Sequence, residues 1–256
     1  MSIIVVLVLF LVHKLYFLYV ERTDFSLDVL SVYLFLFMMI LSLSKIGIRI
    51  DMIFRKHKST ILTISVLLAI VWFNKYYFDA GGFRDNKPAF MGFSDQGSYY
   101  RMISSLVNGT FERSDYFYGL GYPVLGSIFY HLYENDPLFY VNFICYLLII
   151  IYFYNFSKYF LKRELHVFFI TTFLVINPYL VEYLVVPWTS TITLMTYSYS
   201  LYIFLKQKAT VFEYALLGLC AGLTFATRYV DIILFLPIGI YLLSSEIISY
   251  KFKGLL

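Results

Sequence analysis

Long apolar runs separated by short polar links extend along most of the chain. Each run is rich in Ile, Leu, Val, Phe and Tyr and approaches the ~20 residues that a helix needs to cross a bilayer. We therefore predict about eight membrane-spanning helices. Their ranges are Ile3–Val20, Leu27–Lys45, Ile61–Phe78, Leu138–Phe156, His166–Leu180, Trp188–Leu205, Phe212–Thr227 and Tyr229–Ser245. The first two spans form an N-terminal region, 1–50, and residues 51–256 form a core with an outer loop at 79–136.

The composition favours a membrane protein. Hydrophobic residues make up 61% of the chain and charged residues 14%, whereas soluble domains carry about 25% charged residues. Cys145 and Cys220 lie inside apolar runs, which predicts buried thiols rather than a disulfide or a zinc site. The sequence contains no Walker motif, dinucleotide-binding fingerprint, metal-ligand cluster or basic patch for nucleic acid. The predicted class is an all-α integral membrane protein without a nucleic-acid partner, and a requirement for a divalent metal stays open.

The basic residues predict the orientation of these spans. Four clusters fall in alternate links between the spans: Lys45, Arg49, Arg55, Lys56 and Lys58; Lys158, Lys162 and Arg163; Lys206 and Lys208; Lys251 and Lys253. The positive-inside rule then places both termini in the cytoplasm and the loop 79–136 outside. The opening MSIIVV lacks a basic leader, so we do not expect a cleaved signal peptide. The usage of Ile, Phe, Tyr and Lys is typical of an AT-rich prokaryote, which predicts its plasma membrane.

The outer loop contains two segments with helical periodicity. After Asp95 the apolar positions are Tyr99, Met102, Ile103, Leu106 and Val107. Ser94 suits the N-cap of this helix, and Gly109 suits the left-handed residue that ends it. The second segment, Pro123–Tyr133, has an apolar face formed by Val124, Leu125, Ile128, Phe129 and Leu132. Both segments are too short to span, so we predict interfacial helices whose tyrosines point toward lipid headgroups.

Two charged residues of the outer links have both a structural and a chemical interpretation. In the structural interpretation, Asp95 only stabilises the first turn of its helix, which contributes about 0.3–1 kcal/mol. It could also be a general base, because partial shielding at an interface raises the pKa of a carboxylate. Arg228 could bind a phosphate through its planar guanidinium, or pair locally with Asp231. Tyr99, Glu182 and Trp188 could contact a sugar or an acceptor, or be ordinary interface and turn residues.

The order of these features resembles a known family. Asp-x-x-x-Tyr at Asp95 is followed by Gly-Tyr-Pro-x-Leu at Gly121, and later by LKRELHVFFITTFLVINPYLVEYL and LLGLCAGLTFATRYVDIILFLPIGIYLL. From about Ile61 to Leu243 this order resembles the GT-C superfamily of polytopic glycosyltransferases, such as protein mannosyltransferases and aminoarabinose transferases. In that superfamily the first large outer loop carries the catalytic acid and two interfacial helices. Its members usually continue for further spans, so the resemblance also implies a compact or truncated member.

The resemblance implies a specific reaction and two roles. A sugar would move from a polyprenyl-phosphate donor in the membrane to a glycan, lipid or protein acceptor outside the cytoplasm. Asp95 would act as the catalytic residue, and Arg228 would bind the donor phosphate. Two other functions stay open: a transporter or flippase of lipid-linked glycans, and a non-catalytic, truncated membrane scaffold. A transporter would be expected to show intramembrane acids or broken helices in matching halves.

Overall fold

A computed structural model of the chain describes residues 45–79, 94–112, 119–206 and 209–241. Every regular element within these ranges is helical, which confirms the predicted all-α class. Apart from Lys45, the two predicted N-terminal spans lie outside the described residues. The pair Lys251 and Lys253 lies outside them as well.

Nine α-helices and one 3-10 helix form the described part of the chain. They are α1 Lys45–Lys56, α2 Lys58–Asp79, α3 Ser94–Val107, α4 Gly121–Phe129, α5 Leu138–Phe160, α6 Glu164–Ile176, α7 Pro178–Val185, α8 Thr189–Leu205 and α9 Val211–Thr227. The 3-10 helix, Tyr229–Phe235, follows α9 and continues as an α-helix to residue 241. Each predicted span from Ile61 onward therefore corresponds to helical structure, at least as far as the described residues reach.

The lengths of these helices do not support eight membrane spans. Within the described ranges, α5 is the one helix that is long and apolar enough to cross a bilayer by itself. The predicted span His166–Leu180 is two helices, α6 and α7, which are bent by 53° at their junction. The break has a local cause: Pro178 cannot donate to a preceding carbonyl, and the Asn177 side chain accepts from the Leu180 N–H at 3.3 Å to start α7. If the bent pair is one span, the described residues contain two.

Helices α5 and α8 form the centre of the bundle and run parallel. Near their starts, Cys145 and Ile192 belong to one buried cluster. Further along both helices, the rings of Tyr152 and Tyr199 lie 5.0 Å apart. Their first residues therefore lie toward one end of the bundle and their last residues toward the other.

Two helices return along this central pair in the opposite direction. After the short turn 161–163, α6 folds back on α5, and the Tyr146 hydroxyl donates to the Val175 carbonyl at 2.9 Å. In the same way α9 folds back on α8, where the hydroxyls of Thr196 and Thr224 are 2.7 Å apart. The start of α8 and the end of α9 therefore share one end of the bundle, which we call the distal end.

The other end of the bundle, the basic end, collects cationic residues. The α5–α6 turn and the end of α8 bring Lys158, Lys162, Arg163 and Lys206 there. Helix α1 is attached at this end, because Asp51 accepts from the Leu165 N–H at 3.0 Å and Arg55 donates to the Lys162 carbonyl at 3.3 Å. Members of three of the four basic clusters thus lie at one end, and Asp95 belongs to the distal end.

The tyrosines of α3 are buried, contrary to the predicted interfacial arrangement. Tyr99 is 2% exposed and Tyr100 is 6% exposed. The ring of Tyr99 packs edge-on against Tyr122 at 5.3 Å, and the Tyr100 hydroxyl donates to Asp136 at 2.8 Å. Burial is tolerated because ring packing removes apolar area from solvent and a carboxylate satisfies the polar hydroxyl. The predicted end of this helix is confirmed: Gly109 has a φ of +66°.

Helix α4 packs against the bundle through its glycines and through part of its predicted apolar face, since Leu125 and Phe129 contact a buried cluster. Val124, Ile128 and Leu132 are 45%, 65% and 68% exposed, whereas Gly121 and Gly126 are buried. Glycine allows this close approach: a Cβ at Gly126 would lie 2.5 Å from the Ile103 side chain. Val124, Ile128 and Leu132 therefore point away from the bundle.

A buried carboxylate joins three elements at the distal end. Asp136 is 1% exposed and accepts from the hydroxyls of Tyr77 at 2.6 Å and Tyr100 at 2.8 Å. It also accepts from the Leu138 N–H at 3.2 Å, which caps the start of α5. We call this group the Asp136 junction. It attaches α3 to α2 and α5 and fixes the helix that carries Asp95.

We expect the Asp136 junction to make stability depend on pH. Burial raises the pKa of Asp136 to about 6, from an ordinary 3.8. Because the folded state holds this proton more tightly than the unfolded state, stability should fall as pH rises from about 4 to about 6 and then level off. Asp136→Asn should remove this component of the slope in thermal unfolding, whereas Glu134→Gln, which changes an exposed acid, should keep it. An unchanged slope in Asp136→Asn would contradict the assignment.

Candidate functional site

A cleft of about 810 Å³ opens at the distal end of the bundle. Its walls come from the start of α3, the segment before α4, helix α7, the start of α8, the end of α9 and the turn after α9. The lining residues are Asp95, Tyr99, Gly119, Tyr183, Trp188, Thr189, Ser190, Phe225, Ala226, Thr227, Arg228, Tyr229 and Val230. With the end of α9 and its following turn counted as one stretch, five separate parts of the chain contribute to one concave surface.

Four of the five site residues selected from the sequence line this cleft. Asp95 and Tyr99 come from α3, Trp188 immediately precedes α8, and Arg228 immediately follows α9. Glu182 is the exception, because it lies exposed on α7 and is not part of the lining. The charged groups in the lining of the cleft are therefore the Asp95 carboxylate and the Arg228 guanidinium.

The first turn of α3 is held against the loop that precedes α8. The Gln96 side chain is buried and donates to the Pro187 carbonyl at 3.2 Å. Asp95 precedes this anchor, is half-buried, and lies in the first helical turn. A carboxylate in that position is stabilised by the N-terminal helix dipole and by unpaired backbone N–H groups. The local fold thus presents Asp95 to the cleft from a fixed helix end.

Tyr99 experiences both charges of the cleft. Burial raises the pKa of Tyr99 above its ordinary value, a hydrogen bond with Thr189 lowers it, the charge of Asp95 raises it, and the charge of Arg228 lowers it. The acid and the guanidinium therefore both lie within electrostatic reach of one hydroxyl. Because the net shift of its pKa is upward, Tyr99 stays protonated at neutral pH and keeps a hydroxyl that can donate a hydrogen bond.

Arg228 is exposed and has one weak partner in the turn that follows α9. Its side chain is 55% exposed, and its Nε lies 3.6 Å from Oδ1 of Asp231. Asp231 is in turn held by Thr193 of α8, whose hydroxyl donates to it at 2.7 Å. The predicted local pair with Asp231 is therefore present, but it is long and uses the Nε. An exposed pair of this kind contributes only about 0–1 kcal/mol.

The Gly-Tyr-Pro segment holds α4 against the end of α9. A Cβ at Gly119 would lie 2.3 Å from the Thr227 carbonyl oxygen, and one at Gly121 would lie 2.4 Å from the Thr227 hydroxyl. A side chain at Gly119 would require movement of the backbone beside Arg228, and one at Gly121 would first displace the Thr227 hydroxyl. The Tyr122 hydroxyl donates to Asn142 of α5 at 2.7 Å and fixes the segment from the other side.

The start of α8 forms the wall of the cleft next to α3. Trp188 is the N-cap residue and has no side-chain hydrogen bond to the helix, so the first N–H groups of α8 have no side-chain cap. The ring of Trp188 stacks on Tyr183 at 6.4 Å, and the Tyr183 and Ser190 hydroxyls are 2.5 Å apart. This wall combines an aromatic surface with hydroxyls and a positive helix end.

Sequence reasoning missed several contributors to the cleft and its supports. Thr189 and Ser190 directly follow Trp188 in the sequence VPWTSTITL, but the spacing of their hydroxyls gave no signal. Tyr183 lies beside Glu182, and only the bend between α6 and α7 directs it to the cleft. Asp136 did have a signal, because an acid followed by proline before an apolar run is typical of a helix start.

Comparisons with known proteins give no match for this chain. No family model matches the chain, and neither the curated proteins nor the solved structures contain a significant match. Within the ranges that the structure describes, no three His, Cys, Asp or Glu side chains are grouped closely enough to hold a metal ion.

Proposed function

We propose that this chain is a multi-pass membrane glycosyltransferase that uses a polyprenyl-phosphate sugar and acts outside the cytoplasm. The observation that carries the proposal is the convergence of Asp95, Tyr99, Trp188 and Arg228 in one cleft. These residues come from distant parts of the sequence and supply the three functions that such a transfer needs. They are an acid-base group, a cation for the leaving phosphate, and an aromatic surface for the sugar.

The outer wall of the cleft suits a donor that is part lipid. Phe225, Tyr229 and Val230 line it and are 58%, 70% and 57% exposed. Beyond them, Ile233 and Leu236 are 61% and 55% exposed along the following helical segment. A polar headgroup could occupy the cleft while an apolar tail lies on this surface, since both parts then keep a matching environment.

Asp95 and Arg228 have different roles in the proposed transfer. Asp95 takes the proton of the acceptor hydroxyl or amide as the acceptor oxygen or nitrogen attacks the anomeric carbon. The bond from that carbon to the phosphate oxygen breaks, and the polyprenyl phosphate leaves with the bonding pair. Arg228 and the uncapped N–H groups of α8 stabilise the negative charge on that phosphate. Tyr99, whose hydroxyl is influenced by both charges, orients the reacting groups by donating a hydrogen bond.

The proposed topology predicts that the two ends of the bundle face opposite sides of the membrane. Ser59, near the basic end, and Thr110, after α3, are both exposed and suit single-cysteine labelling. Ser98 is a poor site because it is 8% exposed. In intact cells an impermeant thiol reagent should label Thr110→Cys and spare Ser59→Cys until the membrane is opened. Cys145 and Cys220 are buried and give a low background. Labelling of both sites from outside would reject this orientation.

The activity itself is tested with purified protein in lipid nanodiscs. Labelled polyprenyl-phosphate sugars are supplied with a mixture of glycan, lipid and protein acceptors, and transfer of the label is measured. Release of polyprenyl phosphate together with a labelled acceptor supports the proposal. Movement of intact lipid-linked sugar between leaflets, without transfer, would instead identify a flippase. If neither transfer nor movement between leaflets is detected with any supplied donor, both the transferase and the flippase are rejected and a scaffold is favoured.

A further inference from the structure

Helix α1 presents a mixed cationic and apolar face to solvent at the basic end. Ile48, Met52 and Ile53 are 49%, 61% and 59% exposed. Arg49 and Lys56 are exposed on the same side of the helix, since positions 49, 52, 53 and 56 follow the 3–4 residue spacing of one face. Isolated exposed apolar residues are common. Here three of them lie within one and a half turns of α1, beside Arg49 and Lys56, and together they form a distinct surface.

The opposite face of α1 is firmly attached to the bundle. Asp51 is buried and accepts from the Leu165 N–H at 3.0 Å and from Arg55 Nε at 3.0 Å. The ring of Phe54 packs edge-on against Phe168 at 5.1 Å. These contacts fix the rotation of α1 about its axis. The contacts of Asp51 and Phe54 therefore direct the face with Arg49 and Met52 outward.

An apolar surface continues from α1 into α2. The two helices are separated only by His57, and α2 exposes a row made of Ile64, Leu67, Leu68 and Val71 at helical spacing. A bilayer would cover that row with its hydrocarbon. The cations of α1 would then lie at the level of the headgroups, with Met52 and Ile53 inserted below them.

We propose that α1 is a surface-binding helix for anionic phospholipid. The partner is the headgroup layer of an acidic leaflet, because a cationic patch with interleaved apolar side chains matches negative charge above hydrocarbon. A nucleic acid or an acidic protein surface would match the charge but leave Ile48, Met52 and Ile53 in water. The inference depends on the membrane placement proposed above and not on sugar transfer, so failure of the turnover assay leaves it untouched.

The test uses the full chain with a spin label at Met52→Cys, in nanodiscs of phosphatidylcholine alone or mixed with phosphatidylglycerol. Collisions of the label with oxygen, which concentrates in the bilayer, are compared with collisions with a water-soluble nickel chelate. We expect oxygen collisions to exceed nickel collisions, and phosphatidylglycerol to increase that ratio. Arg49→Gln should reduce the increase, whereas Lys206→Gln, which removes one cation from the same end outside α1, should not.

Three results would overturn the proposal. Equal access of the nickel chelate in both lipid mixtures would place this face of α1 in water. A label protected from both reagents, in detergent as well as in nanodiscs, would show that protein covers the face, either a second copy or residues 1–44. An equal loss of response in Arg49→Gln and Lys206→Gln would assign the effect to net charge rather than to α1.

Discussion

Asp95→Asn is expected to lower the turnover of a polyprenyl-phosphate sugar by roughly 10²–10⁴, with expression and donor binding little changed. Asparagine keeps the size of the side chain and can still accept hydrogen bonds at the start of α3. It cannot take a proton from the acceptor. If Asp95 only stabilised the first turn of α3, the change would cost at most about 1 kcal/mol of local stability and leave transfer intact.

Glu182→Gln is the matched control for this experiment. Glu182 is also an acid near the distal end, but it is exposed on α7 and does not line the cleft. Its replacement should leave turnover at the level of the parent protein. Parent-like turnover in Asp95→Asn, or an equal loss in Glu182→Gln, would reject Asp95 as the base. The comparison separates a role inside the cleft from a general effect of removing negative charge.

Arg228→Ala is expected to weaken binding of the polyprenyl-phosphate donor by about 10–150-fold. A charge-assisted hydrogen bond is worth about 1.5–3 kcal/mol, which gives this range of dissociation constants. Arg228→Lys should restore affinity only in part, because an ammonium lacks the planar fork that matches two phosphate oxygens. Donor binding can be measured by titration of the purified variants in nanodiscs, independently of turnover.

Two further variants distinguish phosphate binding from the alternatives. Asp231→Asn removes the charge from the 3.6 Å pair with Arg228 while keeping the size of the side chain. It should change affinity little, because that pair is long and the Arg228 side chain is 55% exposed. Arg101→Ala removes an exposed cation from α3 that does not line the cleft, and it should also bind donor normally. Unchanged affinity in Arg228→Ala would assign this residue to the local pair. Equal losses in Arg101→Ala and Arg228→Ala would indicate only long-range attraction.

The sequence predicts the helices well where apolar runs have polar boundaries. The start of α5 at Leu138 and the end of α8 at Leu205 match the predictions, because polar residues flank both runs. The break at Asn177 was missed for the opposite reason: hydropathy continues through Pro178, while the backbone cannot. The close packing of α4 on α9 and α3 was not predicted, because it depends on the absence of side chains at glycines 121 and 126.

For the candidate site, single residues could be selected from the sequence, but their proximity could not be predicted from it. Asp95 and Arg228 were selected from local position and family resemblance, and the fold brings them to one cleft. No periodicity relates these two positions, because the packing of α9 against α8 and α4 determines their proximity. Glu182 was selected as an outer acid like Asp95, but the direction of a side chain on a short helix such as α7 depends on the bend before it.

The Asp136 junction also has a consequence for how the protein is made. Its hydroxyl donors precede the carboxylate, with Tyr77 separated from Asp136 by 59 positions and Tyr100 by 36. A ribosome synthesises the chain from its N-terminus, so α2 and α3 emerge before the group that anchors them. Until the start of α5 has been synthesised and inserted, α3 lacks its buried acceptor and the helix bearing Asp95 is not locked. The cleft is completed later still, because its lining extends to Val230.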